Sequence, residues 1–124
     1  MPQHSKADLL RRYFEAFMSG DRKVMEAGLA DEFTFTSPYD DAIDKATYFV
    51  RCWPNSEQLR TVELEKIFEE GEEAFARYRA ITKDGREFRN TEFFTFRGDQ
   101  IASVEVYFGA GYQDGKFVKK DESA

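Results

Sequence analysis

The segment FTFTSPYDDAIDK, residues 33–45, places several carboxylates around one turn at the end of a strand. Asp40, Asp41 and Asp44 follow a proline closely, and Glu32 lies just upstream. The chain has one histidine, so proton transfer would have to use carboxylates and tyrosines. Two interpretations of Asp40 and Asp41 stay open, a general base at the mouth of a pocket and a solvated turn. Asp44 is interpreted as the N-cap of the next helix.

A second group of charged residues lies on a predicted hairpin that turns at the sequence KDG. If the loop consists of Asp-Gly alone, Arg77 pairs across the strands with Glu92, and Arg79 pairs with Asn90. All of these side chains then share one face, because side chains alternate along a strand. On the inner face they form a paired polar cluster. On the outer face Arg77–Glu92 is a surface ion pair worth less than about 1 kcal/mol, and the register leaves both interpretations open.

The composition excludes several classes of function. The chain has 124 residues, a net charge of −6 and no visible basic patch, so neither nucleic acid nor an anionic membrane surface is an expected partner. Its longest apolar runs are a few residues and its N-terminal stretch MPQHSKADLL lacks an apolar core, so we expect neither a membrane span nor a signal peptide. Cys52 is the only cysteine, and His4 lies near the terminus, so we expect no disulfide, metal site or cofactor. A reduced, cytoplasmic location is the default expectation.

Hydrophobic periodicity predicts helices first and strands afterwards. Helices are expected at residues 5–19, 21–29 and 45–53, with a strand at 33–38 between the second and the third. Alternation then predicts four antiparallel strands, at 60–69, 73–82, 86–97 and 101–109. This order predicts a single α+β domain at residues 1–111, with a curved sheet wrapped over three helices. Residues 112–124 are expected to be a polar C-terminal tail.

Three stretches taken in order resemble one known superfamily. They are LRRYFEAFMSGD, LADEFTFTSP and NTEFFTFRGDQIASVEVYFG, and they resemble the nuclear transport factor 2-like proteins, nearest to the SnoaL-like and ketosteroid-isomerase-like branches. The resemblance covers about residues 5–110. It implies a cone-shaped, cystatin-like fold in which a bent, mostly antiparallel sheet and three helices enclose an apolar pocket. It also implies a homodimer formed through the convex face of the sheet.

The ketosteroid isomerase pattern can be compared with this chain residue by residue. The resemblance places the helix-one tyrosine on Tyr13 and the protonated carboxylic acid on Glu92. The base position immediately before the proline holds Ser37, and serine is a poor base without an activating partner. The isomerase mechanism therefore does not transfer as it stands, and Asp40 is the candidate replacement. An arginine beside Glu92 would favour the ionised carboxylate, which suits a polar or anionic ligand group better than an enolate.

The sequence therefore predicts a protein that binds a small, largely apolar organic molecule in a pocket between the helices and the sheet. The alternative is an acid–base enzyme, such as an isomerase, a cyclase or a hydrolase. Tyr13, Asp40 and Glu92 are its candidate catalytic residues. The candidate ligand-binding residues are Phe17, Phe35, Tyr48, Trp53, Arg77, Arg79, Phe94, Val106 and Phe108. Core packing is the competing interpretation to a role in the pocket for three of these residues, Tyr13, Tyr48 and Trp53.

Overall fold

The computed structural model describes residues 5–118, which form three α-helices, a short 3₁₀ helix and one sheet. His4 and residues 119–124 of the expected tail lie outside the described residues. The helices are α1 (Lys6–Ser19), α2 (Arg22–Gly28) and α3 (Lys45–Arg51), and the 3₁₀ helix is Trp53–Gln58. The strands are β1 (Leu29–Ser37), β2 (Asp40–Asp44), β3 (Leu59–Glu70), β4 (Glu73–Thr82), β5 (Arg86–Arg97), β6 (Gln100–Gln113) and β7 (Lys116–Val118).

The helix ends follow from side chains that the sequence places there. The side chain of Ser5 caps α1 by accepting a hydrogen bond from the backbone N–H of Asp8. Gly20 ends α1 in the left-handed conformation, with φ of 72°, which glycine adopts without a steric penalty. The carboxylate of Asp44 accepts from the backbone N–H of Thr47 at 2.8 Å. The prediction of Asp44 as a helix cap is confirmed.

The sheet is mixed, because the first strand joins it in a parallel direction. The strand order is β2-β1-β6-β5-β4-β3, and β1 pairs parallel with β6 while the other pairs are antiparallel. The four predicted C-terminal strands are confirmed within a few residues. The short strand β7 pairs with the end of β6. Residues 112–118 thus continue the sheet and differ from the polar tail that the sequence suggests.

The register of the β4–β5 hairpin differs from the prediction by one residue. Its loop consists of residues 83–85, one more than the Asp-Gly pair, and its glycine has φ of 91°. Glu92 consequently lies opposite Ala76, and Arg77 lies opposite Thr91. A slip of one residue moves every side chain of one strand to the other face. The predicted Arg77–Glu92 pair is therefore wrong.

Bulges bend the sheet into a curve with a concave face. One bulge falls in β6, where residues 109 and 110 lie opposite the single residue Arg89 of β5. Gly109 is required there, because a Cβ atom at this position would lie 2.0 Å from the backbone oxygen of Arg89. The concave face packs on α1 and α3, and the core lies between them. The largest fully buried side chains are Tyr48, Phe33, Phe94, Leu10, Met25, Leu29 and Val104. Within residues 5–118, no helix has the length and apolar character needed to cross a membrane.

Candidate functional site

A cavity of about 580 Å³ lies between the concave face of the sheet and the helices. Its wall consists mostly of aromatic and aliphatic side chains. These come from α1, α3, the 3₁₀ helix and strands β1 to β6. Helix α1 contributes Tyr13 and Phe17, β1 contributes Phe35, and β6 contributes Val106 and Phe108. The structure thus brings together these five residues that the sequence suggested as lining a pocket. Their role in binding a ligand stays a prediction.

Glu92 is the buried carboxyl group of this wall. It points inward from β5 and is 6% exposed. Its Oε1 atom has no hydrogen-bond partner among residues 5–118. Burial raises the pKa of Glu92 to about 7, against an opposing effect of the Tyr78 hydroxyl. This carboxyl group can therefore act near neutral pH either as a proton donor or as a carboxylate.

Three tyrosines from different elements approach Glu92. Tyr13 comes from α1, Tyr48 from α3 and Tyr78 from β4. Burial raises the pKa of each well above its ordinary value, so all three hydroxyl groups stay protonated at ordinary pH. The Tyr78 hydroxyl accepts a hydrogen bond from Asn90 Nδ2 at 3.0 Å. The Tyr13 and Tyr48 hydroxyl groups are close enough to influence each other's pKa, but in the described part of the chain the Tyr48 hydroxyl makes no hydrogen bond of normal geometry.

A second polar group lies where β1 turns into β2. The side chain of Asp40 is 8% exposed and forms an ion pair with Arg51 at 2.7 Å. Ser37 Oγ lies 3.5 Å from Asp40 Oδ2, and both residues line the cavity. The thiol of Cys52 lies 3.8 Å from the same oxygen, and burial, assisted by Asp40, raises its pKa to about 12. Asp41 is exposed, so Asp40 is the carboxylate of this turn that faces the cavity.

Arg77 and Arg79 lie on the opposite face of the sheet, away from the cavity. Arg77 is 3.4 Å from the carboxylate of Glu65, and Arg79 bonds to Glu87 at 2.6 Å. The prediction that these arginines are polar elements of the pocket is wrong, because the longer hairpin loop reverses the faces of β4. Among residues 5–118, Glu92 therefore has no arginine paired with it.

Two further candidates lie outside the cavity wall. Phe94 is fully buried and packs edge-on against Tyr13, with ring centroids 5.4 Å apart. Trp53 packs between Phe17 and Phe49, with both ring centroids 5.7 Å away. Phe94 belongs to the core, and Trp53 is half-buried and packs against it, which agrees with the packing interpretation that the sequence left open for Trp53.

Tyr78 and Phe88 also line the wall, and the sequence did not suggest them as wall residues. The sequence did contain a signal for Tyr78. Residues 74, 76, 78 and 80 of β4 are Ala, Ala, Tyr and Ala, and both arginines lie at the odd-numbered positions between them. An uncharged set at every second position indicates the buried face of a strand. Among residues 5–118, no group of His, Cys, Asp and Glu side chains is arranged to hold a metal ion.

Comparison with known proteins agrees with this architecture. A family model described as a SnoaL-like domain matches residues 10–104. A comparison with curated proteins finds no match. An NTF2-like protein of unknown function from Cytophaga hutchinsonii superposes with a TM-score of 0.70 at 21% identity, over 86% of this chain and 92% of that chain.

Two similar structures carry functional descriptions. One is a candidate polyketide cyclase from Sinorhizobium meliloti, with a TM-score of 0.66 at 19% identity over 80% of this chain and 93% of that chain. The other is a candidate ketosteroid isomerase from Kribbella flavida, with a TM-score of 0.70 at 13% identity over 94% of this chain and 84% of that chain. At such identities the likeness establishes the α+β cone fold and leaves the activity to the residues of the site.

Proposed function

We propose that this chain, which belongs to the SnoaL-like domain family, binds one small and largely apolar organic molecule in its cavity. The observation that carries the proposal is the pair of buried polar atoms, Glu92 Oε1 and the Tyr48 hydroxyl, which lack partners among residues 5–118. A buried polar group without a partner is costly, and a ligand that bonds to it recovers that cost. An apolar cavity of this size with a few polar groups is typical of small-molecule sites.

Binding can be tested with the uncharged fluorophore N-phenyl-1-naphthylamine. We expect saturable binding of one molecule per chain, with a blue-shifted emission as the probe leaves water. Val62 lines the cavity, so Val62→Trp should fill part of it and weaken binding. Val50 is 76% exposed and lies outside the cavity, so Val50→Trp is the matched control. Non-saturable binding, or equal binding by both variants, would contradict the proposal.

Acid–base catalysis in the same cavity is the second candidate function. The observation that favours it is the position of Asp40, whose carboxylate faces the cavity beside Ser37, the residue at the base position of the isomerase pattern. A carboxylate at the rim of an apolar cavity can abstract a proton from a bound carbon acid. Neutral Glu92 and Tyr13 could then stabilise the negative charge that develops on the substrate.

The base can be tested with 5-nitrobenzisoxazole, which opens to a coloured phenolate after loss of one proton from carbon. We expect turnover above background that Asp40→Asn abolishes. Asp41→Asn is the matched control, because Asp41 is the neighbouring exposed carboxylate. Equal rates in the two variants would exclude Asp40 as the base, and they would leave the binding proposal standing.

We also propose that two copies associate through the convex face of the sheet. This face carries exposed aromatic side chains, with Phe68 66%, Phe75 46% and Tyr107 56% exposed. The rings of Phe75 and Phe93 lie 4.7 Å apart across β4 and β5 and form an apolar centre for such an interface. Aromatic residues are enriched at the cores of protein interfaces.

A further inference from the structure

The charges on the cavity wall are compensated unequally. Asp40 is neutralised by Arg51 at 2.7 Å, and Arg86 lies 3.5 Å from Asp84. Glu92 has no ion-pair partner in the part of the chain that the structure describes. A buried carboxylate normally pairs with a cation, so the wall lacks one positive charge whenever Glu92 is ionised.

The ionisable groups that face Glu92 are all neutral. Tyr13 on α1, Tyr48 on α3 and Tyr78 on β4 interact with it, and burial keeps each of them protonated. Strand β6 faces it through Val106, which has no ionisable group. Among residues 5–118, the groups that act on this carboxyl group are thus hydroxyl groups and aromatic rings, and Arg86 of the cavity wall is paired with Asp84.

The rings beside Glu92 form a continuous aromatic wall. Tyr13 and Phe14 have centroids 5.1 Å apart, and Phe14 and Tyr78 have centroids 5.0 Å apart. Aromatic faces attract cations through the quadrupole of the ring, and aromatic cages are used to recognise quaternary ammonium ligands. The Tyr48 hydroxyl, which interacts with Glu92 and makes no hydrogen bond of normal geometry within residues 5–118, adds an acceptor.

We propose that the ligand of this cavity is an organic amine, whose protonated ammonium group pairs with Glu92 while its apolar body fills the rest of the cavity. This inference names the ligand class and rests on the proposed binding function. An ammonium group has three donors and no acceptor, so it can satisfy Glu92 Oε1 and the Tyr48 oxygen together. It also supplies the positive charge that the wall lacks, whereas a neutral carbonyl group would require Glu92 to be protonated.

The two ligand classes differ in the sign of their pH dependence. Burial raises the pKa of Glu92 to about 7. The ionised fraction then increases from about one tenth at pH 6 to about nine tenths at pH 8. A primary amine stays protonated over this range, so its affinity should increase about tenfold between these pH values. A ligand that needs protonated Glu92 should lose affinity by a similar factor.

The experiment compares 2-naphthylmethylamine with its uncharged analogue 2-naphthylmethanol, by calorimetric titration of the full chain at pH 6 and pH 8. We expect the amine to bind about ten times more tightly at pH 8, while the alcohol gains nothing. Glu92→Gln should remove the preference for the amine and its pH dependence. Glu87→Gln, the same change on the other face of β5, should leave both unchanged. Circular dichroism of both variants establishes that they fold, and the pH dependence of the unchanged protein tests the inference without any variant.

Each other outcome overturns the inference. Equal affinities for amine and alcohol, or an amine affinity that falls with rising pH, would exclude the ammonium–Glu92 pair and leave the binding function intact. If the alcohol and N-phenyl-1-naphthylamine bind while the amine does not, the cavity takes neutral ligands. If none of the three compounds binds, the proposed binding function fails as well.

Discussion

Replacing Glu92 by glutamine should change how the stability of the protein depends on pH. The buried carboxyl group has a pKa of about 7 in the folded chain, against an ordinary value of 4.5. Between these values the folded state holds a proton that the unfolded state has lost. The stabilisation is therefore fully present below about pH 4.5 and is lost as the pH rises through 7. At about 1.4 kcal/mol per pH unit, the loss amounts to about 3 kcal/mol.

Glutamine has a similar shape and no ionisation, so Glu92→Gln should not show this loss. Urea unfolding between pH 5 and pH 8, at constant protein concentration, measures the free energy of unfolding of both proteins. As the pH rises from 5 to 8, the free energy of unfolding of the variant should increase relative to that of the unchanged protein, by most of the loss of about 3 kcal/mol. Glu87→Gln is the control, because the pKa of Glu87 is lowered by its bond to Arg79 and it stays ionised throughout. A difference between the two proteins that is constant with pH would refute the assignment of a raised pKa to Glu92.

Three further predictions concern packing and assembly. Gly109→Ala should lower stability by more than about 1 kcal/mol, because its Cβ atom meets a backbone oxygen, whereas Gly28→Ala has free space and should be neutral or stabilising in urea unfolding. Tyr48→Phe removes a buried hydroxyl that lacks a hydrogen-bond partner and should be neutral or stabilising, whereas Tyr78→Phe removes the acceptor of a buried amide and should cost about 1–3 kcal/mol. Sedimentation equilibrium at micromolar concentration should give a dimer that Phe75→Asp dissociates, and a monomeric unchanged protein would contradict the proposed convex interface.

The helices and most of the strands could be predicted from local patterns in the sequence. The cap at Asp44, the stop at Gly20 and the alternation of the last four strands each depend on residues close together in the chain. The strand β2 was not predicted, because it exists only through its pairing with β1. The parallel pairing of β1 with β6 likewise depends on contacts distant in sequence. Local periodicity contains no information on either.

The polar part of the site depends on the length of one loop. The sequence KDG is compatible with loops of two or three residues, and the choice decides which face Arg77 and Arg79 occupy. With three residues in the loop, Tyr78 joins Glu92 on the concave face and the arginines move to the convex face. Whether Asp40 faces the cavity could not be predicted either, since that orientation is set by its ion pair with Arg51.

The central claim is that a small molecule binds inside the cavity, and methyl NMR during titration with 2-naphthylmethanol tests it most directly. We expect large chemical-shift changes at Leu59, Val62 and Val106, which line the cavity. Ile101 and Val104 are equally apolar, are buried in the core and lie outside the cavity, so their signals should move little. If the shifts are absent, or are no larger at the cavity residues than at the core residues, no small molecule binds inside the cavity.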